Sequence, residues 1–219
     1  MGFIRRRTSK QIGKVKTLLG LALTRLAVAF RPHVARRSIS SSDVGQLLAL
    51  GHLDRALHRA EHVIEEDNIL EAFNIVELYC NHLIENAKQL DKPHECGEDT
   101  REAVAGVMFA AGWCGDLPEL LFARTILENK FGGDFAMMAK DGTGVVDPML
   151  VWKFSGNKRN MELKKNVVKN HLDTWIRLDQ LIFLYKYIMY MTLPLVLTIE
   201  SRRRATLLHM MYIPPNPGY

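Results

Sequence analysis

Seven apolar positions between Ile69 and Leu90 constrain this chain more than any other feature. Ile69, Phe73, Val76, Cys80, Leu83, Ala87 and Leu90 alternate spacings of four and three, so on a helix of about six turns they form one stripe along one side. Such a stripe must be buried against another helix. The stretch leading into it, from Ser42 through Asp43-Val-Gly-Gln-Leu-Leu to Glu65, keeps the helical pattern. No segment alternates apolar and polar residues long enough to propose a sheet, and the fold class is all-α.

Upstream, Ile12, Val15, Leu19, Ala22, Leu26 and Ala29 repeat the spacing and predict a long amphipathic first helix. Pro32 is expected to interrupt it or mark a tight turn. A second long helix is expected from about Ala35 to Asp67, antiparallel to the first as one arm of a hairpin, with a third from Asn68 to Leu90. Asp99-Thr-Arg-Glu102 and Asp116-Leu-Pro-Glu119 have the spacing of capping boxes. They predict a fourth helix over Ala103, Val104, Val107, Met108 and Ala111, and a fifth over Leu120, Ile126, Leu127 and Phe131. Asp134 to Lys140 reads as a short turn or helix. Asp147-Pro148 reads as an N-cap followed by proline at the first helical position, opening a helix from Met149 to Phe154, and Glu162 to Leu172 as a further basic helix.

Charge narrows the class of partner. The net charge of +5 hides a segregation, because residues 1–37 carry ten Lys or Arg and no acid, whereas residues 38–98 carry four basic and twelve acidic residues. A basic segment of that kind favours polyanions: an anionic membrane leaflet, nucleic acid or an acidic partner. Phe3 and Ile4 ahead of Arg5-Arg-Arg suit anionic lipid, and nucleic acid is not expected, since no aromatic residues are interleaved with the charges. The three cysteines, Cys80, Cys96 and Cys114, give an odd count without close pairs and indicate a reduced compartment. The N-terminus lacks the apolar run of a secretory signal, and Arg6 stands where a myristoylation site needs Ser or Thr; a mitochondrial presequence is the alternative for the arginine-rich, acid-free residues 1–37. Leu181 to Ile199 contains one charge, Lys186, and as a helix it is about 28 Å long, near the lower limit for crossing a bilayer. A membrane anchor, an extra core helix and a poorly folding extension are its three readings.

No catalytic constellation survives inspection. His58, His62 and Glu65 share a helix face, but no His-Glu-x-x-His motif or further ligand set accompanies them, and an acidic surface is the simpler account. Asp141-Gly-Thr-Gly-Val lacks the Gly-Lys-Ser/Thr of a phosphate loop. Cys114 beside Trp113 has no histidine with a recognisable role, and packing is its expected use. No metal, cofactor or enzymatic activity is expected. Arg55 with Arg59, and Glu61 with Glu65, lie one turn apart, as a solvated face or as contacts between neighbouring copies or partners.

Four blocks in succession carry a resemblance: Lys16-Thr-Leu-Leu-Gly-Leu-Ala22 with Arg25-Leu26; Asp43-Val-Gly-Gln-Leu-Leu with Gly51; Arg55-Ala-Leu-His-Arg59-Ala-Glu61-His-Val-Ile-Glu65 followed by Glu77-Leu-Tyr-Cys80; and Asp116-Leu-Pro-Glu-Leu120 followed by Lys130-Phe-Gly132. With them the chain resembles the increased-sodium-tolerance family of ESCRT-III-like proteins, specifically its plant members. The resemblance implies an ESCRT-III-like helical bundle built on a long antiparallel helical hairpin over residues 9–172, with 173–219 as an atypical apolar and basic extension. It implies a non-enzymatic adaptor or assembly component in ESCRT-dependent multivesicular-body protein sorting, which binds ESCRT-III subunits and modulates the vacuolar-sorting AAA ATPase that disassembles them. Direct docking on that ATPase is weakened here, because Asp173 onward is unlike the family's long polar tail and Arg202-Arg-Arg-Ala-Thr-Leu-Leu lacks an acidic component. Lys10, Lys14 and Lys16 fall in what looks like the family's membrane-facing basic helix. Arg55, Arg59, Glu61 and Glu65 match its signature on the second helix and imply hairpin packing or assembly contacts. The expected location is cytoplasmic, peripheral on endosomal membranes; the alternatives are mitochondrial, or a membrane-anchored helical structural protein held by 181–199.

Overall fold

The computed structural model describes residues 9–156, 161–174 and 176–177. The chain divides into two compact units, residues 1–168 and 169–219. In the second, 169–174 are helical, and Leu181 to Ile199 lies outside the described residues.

The first unit is an all-α bundle led by a hairpin of α1 (Lys10–Ala49) and α2 (Leu53–Glu85). Both boundaries of this hairpin differ from the sequence expectation. The chain does not turn at Pro32, which lies inside α1, and the apolar stripe begins no third helix, because α2 runs through Asp67 and Asn68 without a break. An interior proline costs a helix about 3 kcal/mol through one lost hydrogen bond and a ring clash. The flanking turns offset that cost. Upstream, Ile12, Val15, Leu19, Ala22 and Leu26 are buried on α2 and its neighbours, and each large side chain so buried contributes about 1.5 to 3 kcal/mol. Downstream, His33 and Arg36 bond Glu66, and Arg37 bonds Asp67. Pro32 itself faces solvent.

The turn is instead made at Gly51, whose φ is +76°. The Gly51 N–H donates to Leu48 O at 3.0 Å and the His52 N–H to Leu47 O at 2.9 Å, the paired bonds that end a helix on a left-handed residue. Glycine takes that φ without the steric penalty a Cβ brings. α2 then ends at Glu85, yet Ala87 and Leu90 stay buried in the turn and 3₁₀ segment that follow, so the stripe outlasts the helix.

Four shorter helices follow: α3 (Glu98–Ala110), α4 (Pro118–Phe131), α5 (Gly133–Asp141) and α6 (Pro148–Ser155). Every residue from Ala103 to Ala111 is buried, which makes α3 the central element, in contact with α2, α4 and α5. Neither expected capping box forms. The N-caps of α3 and α4 are Gly97 and Leu117, with no side-chain cap bond at either; Glu119 turns instead towards Arg25 on α1. The third N-cap forms as expected, with Asp147 Oδ1 accepting from Met149 N at 2.8 Å and Pro148 opening α6. Residues 134–140 lie inside α5. Residues 161–168 are helical, and Val168 joins Val44, Ala56, Ala60 and Val63 in a second small core beneath the hairpin turn.

Candidate interaction surfaces

The hairpin is laced by charge on both sides of its apolar seam. Arg59 donates to Asp43 Oδ2 from Nε at 2.9 Å and from a terminal nitrogen at 2.7 Å, so it joins α2 to α1 about two turns from the Gly51 turn. Further along, Glu66, largely buried, meets His33 Nδ1 at 2.6 Å and Arg36 Nε at 2.7 Å, and the His33 ring stands edge-on to Phe73. Arg37 reaches Asp67 at 2.9 Å. Half-exposed pairs of this kind contribute at most about 1 kcal/mol each and act mainly to fix register.

The four α2 residues singled out by the sequence divide between two sides of the helix. Arg59 is a hairpin contact. Arg55, one turn before it, is exposed and makes no ion pair among the described residues. On the other flank Glu61 pairs with Lys164, which is 7% exposed, and also lies 3.7 Å from His58. The Lys164 hydrogen bond holds the Glu61 carboxyl below its ordinary range against a smaller opposing push from burial. Glu65 lies 3.8 Å from His62. The structure therefore separates an Arg59 contact within the hairpin from a Glu61 contact that seats the 161–168 helix.

Lys10, Lys14 and Lys16 are all exposed and make no ion pair among the described residues. They do not form one face. Lys10 and Lys14 are one turn apart and lie about 40° from each other around the helix, whereas Lys16 is about 200° from Lys14. At the start of the same helix Ser9 caps α1 through its side chain, and its N–H donates to Asp91 Oδ2 at 2.8 Å. Lys130 on α4 bonds the other Asp91 oxygen at 3.2 Å. Burial pushes the Asp91 carboxyl up, and the Ser9 and Lys130 bonds outweigh it, so the group sits below its ordinary range. Arg25 bonds Glu119 at 2.9 Å, so α4 is tied along α1 at both ends. Between these ties lies an open groove of about 720 Å³ walled by Lys14 and Leu18 of α1 and by Phe122 and Ile126 of α4. Neither the groove nor the α1 to α4 ties were foreseen from the sequence; Leu121-Phe122 beside the buried Leu120 was the available signal, since three consecutive apolar residues cannot all face one core.

Among the described residues no group of three or more His, Cys, Asp or Glu side chains is arranged to hold a metal. His58 and His62 stack edge-on, 6.5 Å apart. Cys80 and Cys114 are buried, and burial pushes both thiols up to about 12, the opposite of what a nucleophile needs. A family model, Ist1, described as a regulator of Vps4 activity in the MVB pathway, matches residues 16–170. The chain belongs to this family. It is also similar to the vacuolar protein sorting-associated protein IST1 of Saccharomyces cerevisiae, 28% identical over 131 residues, which cover 56% of this chain and 44% of that protein. The chain thus matches under half the length of that relative. Among solved structures it is similar to the S. cerevisiae Ist1 N-terminal domain in complex with the Did2 MIM motif, at a TM-score of 0.66 and 25% identity, over 76% of this chain and 93% of that one. The Ist1 family bundle is therefore the one built here on α1 and α2. Among the described residues no helix is long and apolar enough to cross a membrane.

Proposed function

We propose that the chain is a non-enzymatic adaptor or assembly component of ESCRT-dependent multivesicular-body sorting that binds ESCRT-III-type subunits through its helical domain. The observation that carries this reading is the family match over residues 16–170, together with a fold shared with a yeast domain solved bound to a motif of another protein. Burial of both core thiols suits packing rather than nucleophilic chemistry. Lys10 and Lys14 supply a cationic face towards an anionic membrane surface or an acidic partner, with Lys16 on the opposite flank. Arg59 holds the hairpin, Glu61 seats the 161–168 helix, and Arg55 and Glu65 are assembly contacts. Modulation of the disassembly ATPase, a peripheral position on endosomal membranes and a plant-type identity with an atypical extension at 173–219 belong to the same proposal.

Binding of a labelled Did2 MIM peptide to the full chain, followed by fluorescence anisotropy, tests the reading, alongside co-pelleting with assembled ESCRT-III subunits. Saturable binding or co-pelleting is expected. Failure of both would overturn the adaptor reading.

A further inference from the structure

The short helix α6 carries a face that the packing of the bundle does not use. Its inner side is taken up by the fold. Leu150 is fully buried, Val151 and Phe154 pack on the main core, and Lys153 Nζ bonds Asn68 Oδ1 at 3.2 Å and pairs with Glu71, which ties the helix to α2. Met149 and Trp152 lie on the other side. Three residues apart, they are neighbours on the helix surface, 53% and 39% exposed. Lys153 Nζ also stands over the Trp152 ring, 4.8 Å from its centroid, so the exposed indole is held by a cation that is itself anchored to α2.

The next helix extends this surface. Lys164 pairs with Glu61, seven residues before Asn68 on α2, so α6 and the 161–168 helix are fastened along one flank of α2 at points about 10 Å apart. Met161 and Lys165, one turn apart, are exposed there, and Lys165 makes no ion pair among the described residues. The sequence between the two helices adds Lys158 and Arg159. Apart from the two lysines that hold α2, residues 148–168 therefore contribute Lys158, Arg159 and Lys165 against the single acid Glu162.

An exposed indole beside thioether side chains, next to lysine and arginine, is the composition of a surface that rests in a bilayer interface. Tryptophan sits at the headgroup level, apolar chains dip below it, and cations meet anionic lipid. The shape agrees, because an eight-residue helix seated on the outside of α2 is a ridge. A fluid lipid surface closes around a ridge without the preformed cleft that a folded partner would need. None of these residues belongs to α1, so the surface is separate from that of Lys10 and Lys14.

We propose that the exposed face of α6, with the adjoining 157–165 stretch, is a membrane-contact site. Trp152 and Met149 enter the headgroup region of an anionic bilayer, and Lys158, Arg159 and Lys165 meet its phospholipids. This rests on the peripheral membrane position proposed above and gives it a tryptophan anchor outside α1.

The test uses the full chain with vesicles of phosphatidylcholine alone and of phosphatidylcholine mixed with phosphatidylserine. The protein has three tryptophans, Trp113, Trp152 and Trp175, and Trp113→Phe with Trp175→Phe leaves Trp152 as the reporter. With anionic vesicles its emission is expected to shift to the blue and to be quenched by lipids brominated on the acyl chain, and both effects weaken as salt rises. In co-sedimentation, Met149→Asp with Trp152→Asp should bind about tenfold or more weakly than wild type, and so should Lys158→Glu with Arg159→Glu and Lys165→Glu. Lys10→Glu with Lys14→Glu should leave the quenching of Trp152 in place. Circular dichroism with a thermal melt checks that each variant is folded. Vesicle binding that the folded Met149→Asp, Trp152→Asp variant retains, or that leaves Trp152 emission unchanged, would overturn the site. Binding to phosphatidylcholine alone as strong as to the anionic mixture would overturn it too. Failure of the wild type to bind either vesicle would overturn both this site and the peripheral membrane position, whereas the adaptor reading is judged separately by peptide binding and ESCRT-III co-pelleting, neither of which uses lipid.

Discussion

Gly106, at the centre of α3, is the position where one added methyl group should cost most. A Cβ there would lie 2.4 Å from Tyr79 Cε2 and 2.5 Å from Cδ2. Carbon atoms in favourable contact sit about 3.5 to 4 Å apart, so the ring must withdraw by about 1 Å. It cannot do so without loss, because the Tyr79 hydroxyl donates to Glu102 Oε1 at 2.7 Å, and Glu102 lies one turn before Gly106 on the same helix. Burial, first, and then the Glu102 bond push the Tyr79 hydroxyl well above its ordinary pKa, so it remains a proton donor throughout the physiological range. Overpacking of this kind costs about 1 to 3 kcal/mol, a weakened bond to a charged acceptor about 1.5 kcal/mol more, and the better helix propensity of alanine returns about 1 kcal/mol. The expected net loss for Gly106→Ala is therefore about 2 kcal/mol, which for a chain of this size lowers Tm by about 4 to 8 °C. Urea unfolding followed by circular dichroism measures it. The double variant Gly106→Ala with Tyr79→Leu should recover part of the loss relative to the sum of the two single changes. A Gly106→Ala protein more stable than wild type would show that helix propensity governs the site and that the Tyr79 contact does not.

Three further outcomes follow from named contacts. Pro32→Ala restores a helical N–H at a solvent-facing position and should raise stability by as much as about 3 kcal/mol; a lower urea midpoint would contradict the account of α1. Asp91 titrates below its unfolded value, so the stability it supplies is present above about pH 4 and is lost as pH falls through the lower folded value. Asp91→Asn should destabilise the protein by about 1 to 2 kcal/mol at pH 7 and reduce the acid sensitivity of Tm below pH 4. With Cys80 and Cys114 buried and raised, only Cys96 is partly exposed; Ellman's reagent should label one thiol in the native protein and the other two at the rate of unfolding, and simultaneous reaction of all three would refute that burial.

The class of fold was legible because apolar spacing survives any choice of helix boundary. All seven stripe positions from Ile69 to Leu90 are buried or packed against the core, and the same holds for Ile12 to Ala29. The boundaries were less legible, and for physical reasons. Pro32 signalled a break by its intrinsic cost, but a 40-residue helix packed along its length and bound to Glu66 and Asp67 tolerates one lost bond. Gly51 carried the true signal, since it needs only an exposed position and a positive φ, which single-residue composition does not announce. The two capping boxes failed because a local side-chain bond competes with tertiary partners, and Glu119 is engaged by Arg25 from a distant helix. Arg55, Arg59, Glu61 and Glu65 all lie on α2, but their division into two flanks required knowing that the 161–168 helix delivers Lys164 to Glu61. The groove had one partial signal, the run Leu120-Leu-Phe122, of which only Leu120 is buried while Phe122 is 63% exposed; the α1 side of the groove had none.

Titration of the full chain into labelled Did2 MIM peptide at low and high salt is the decisive test of whether the helical domain binds an ESCRT-III-type partner. Saturable one-site binding that weakens with salt is the expected result. Absence of saturable binding at both salt concentrations, with no co-pelleting on assembled ESCRT-III subunits, would contradict it.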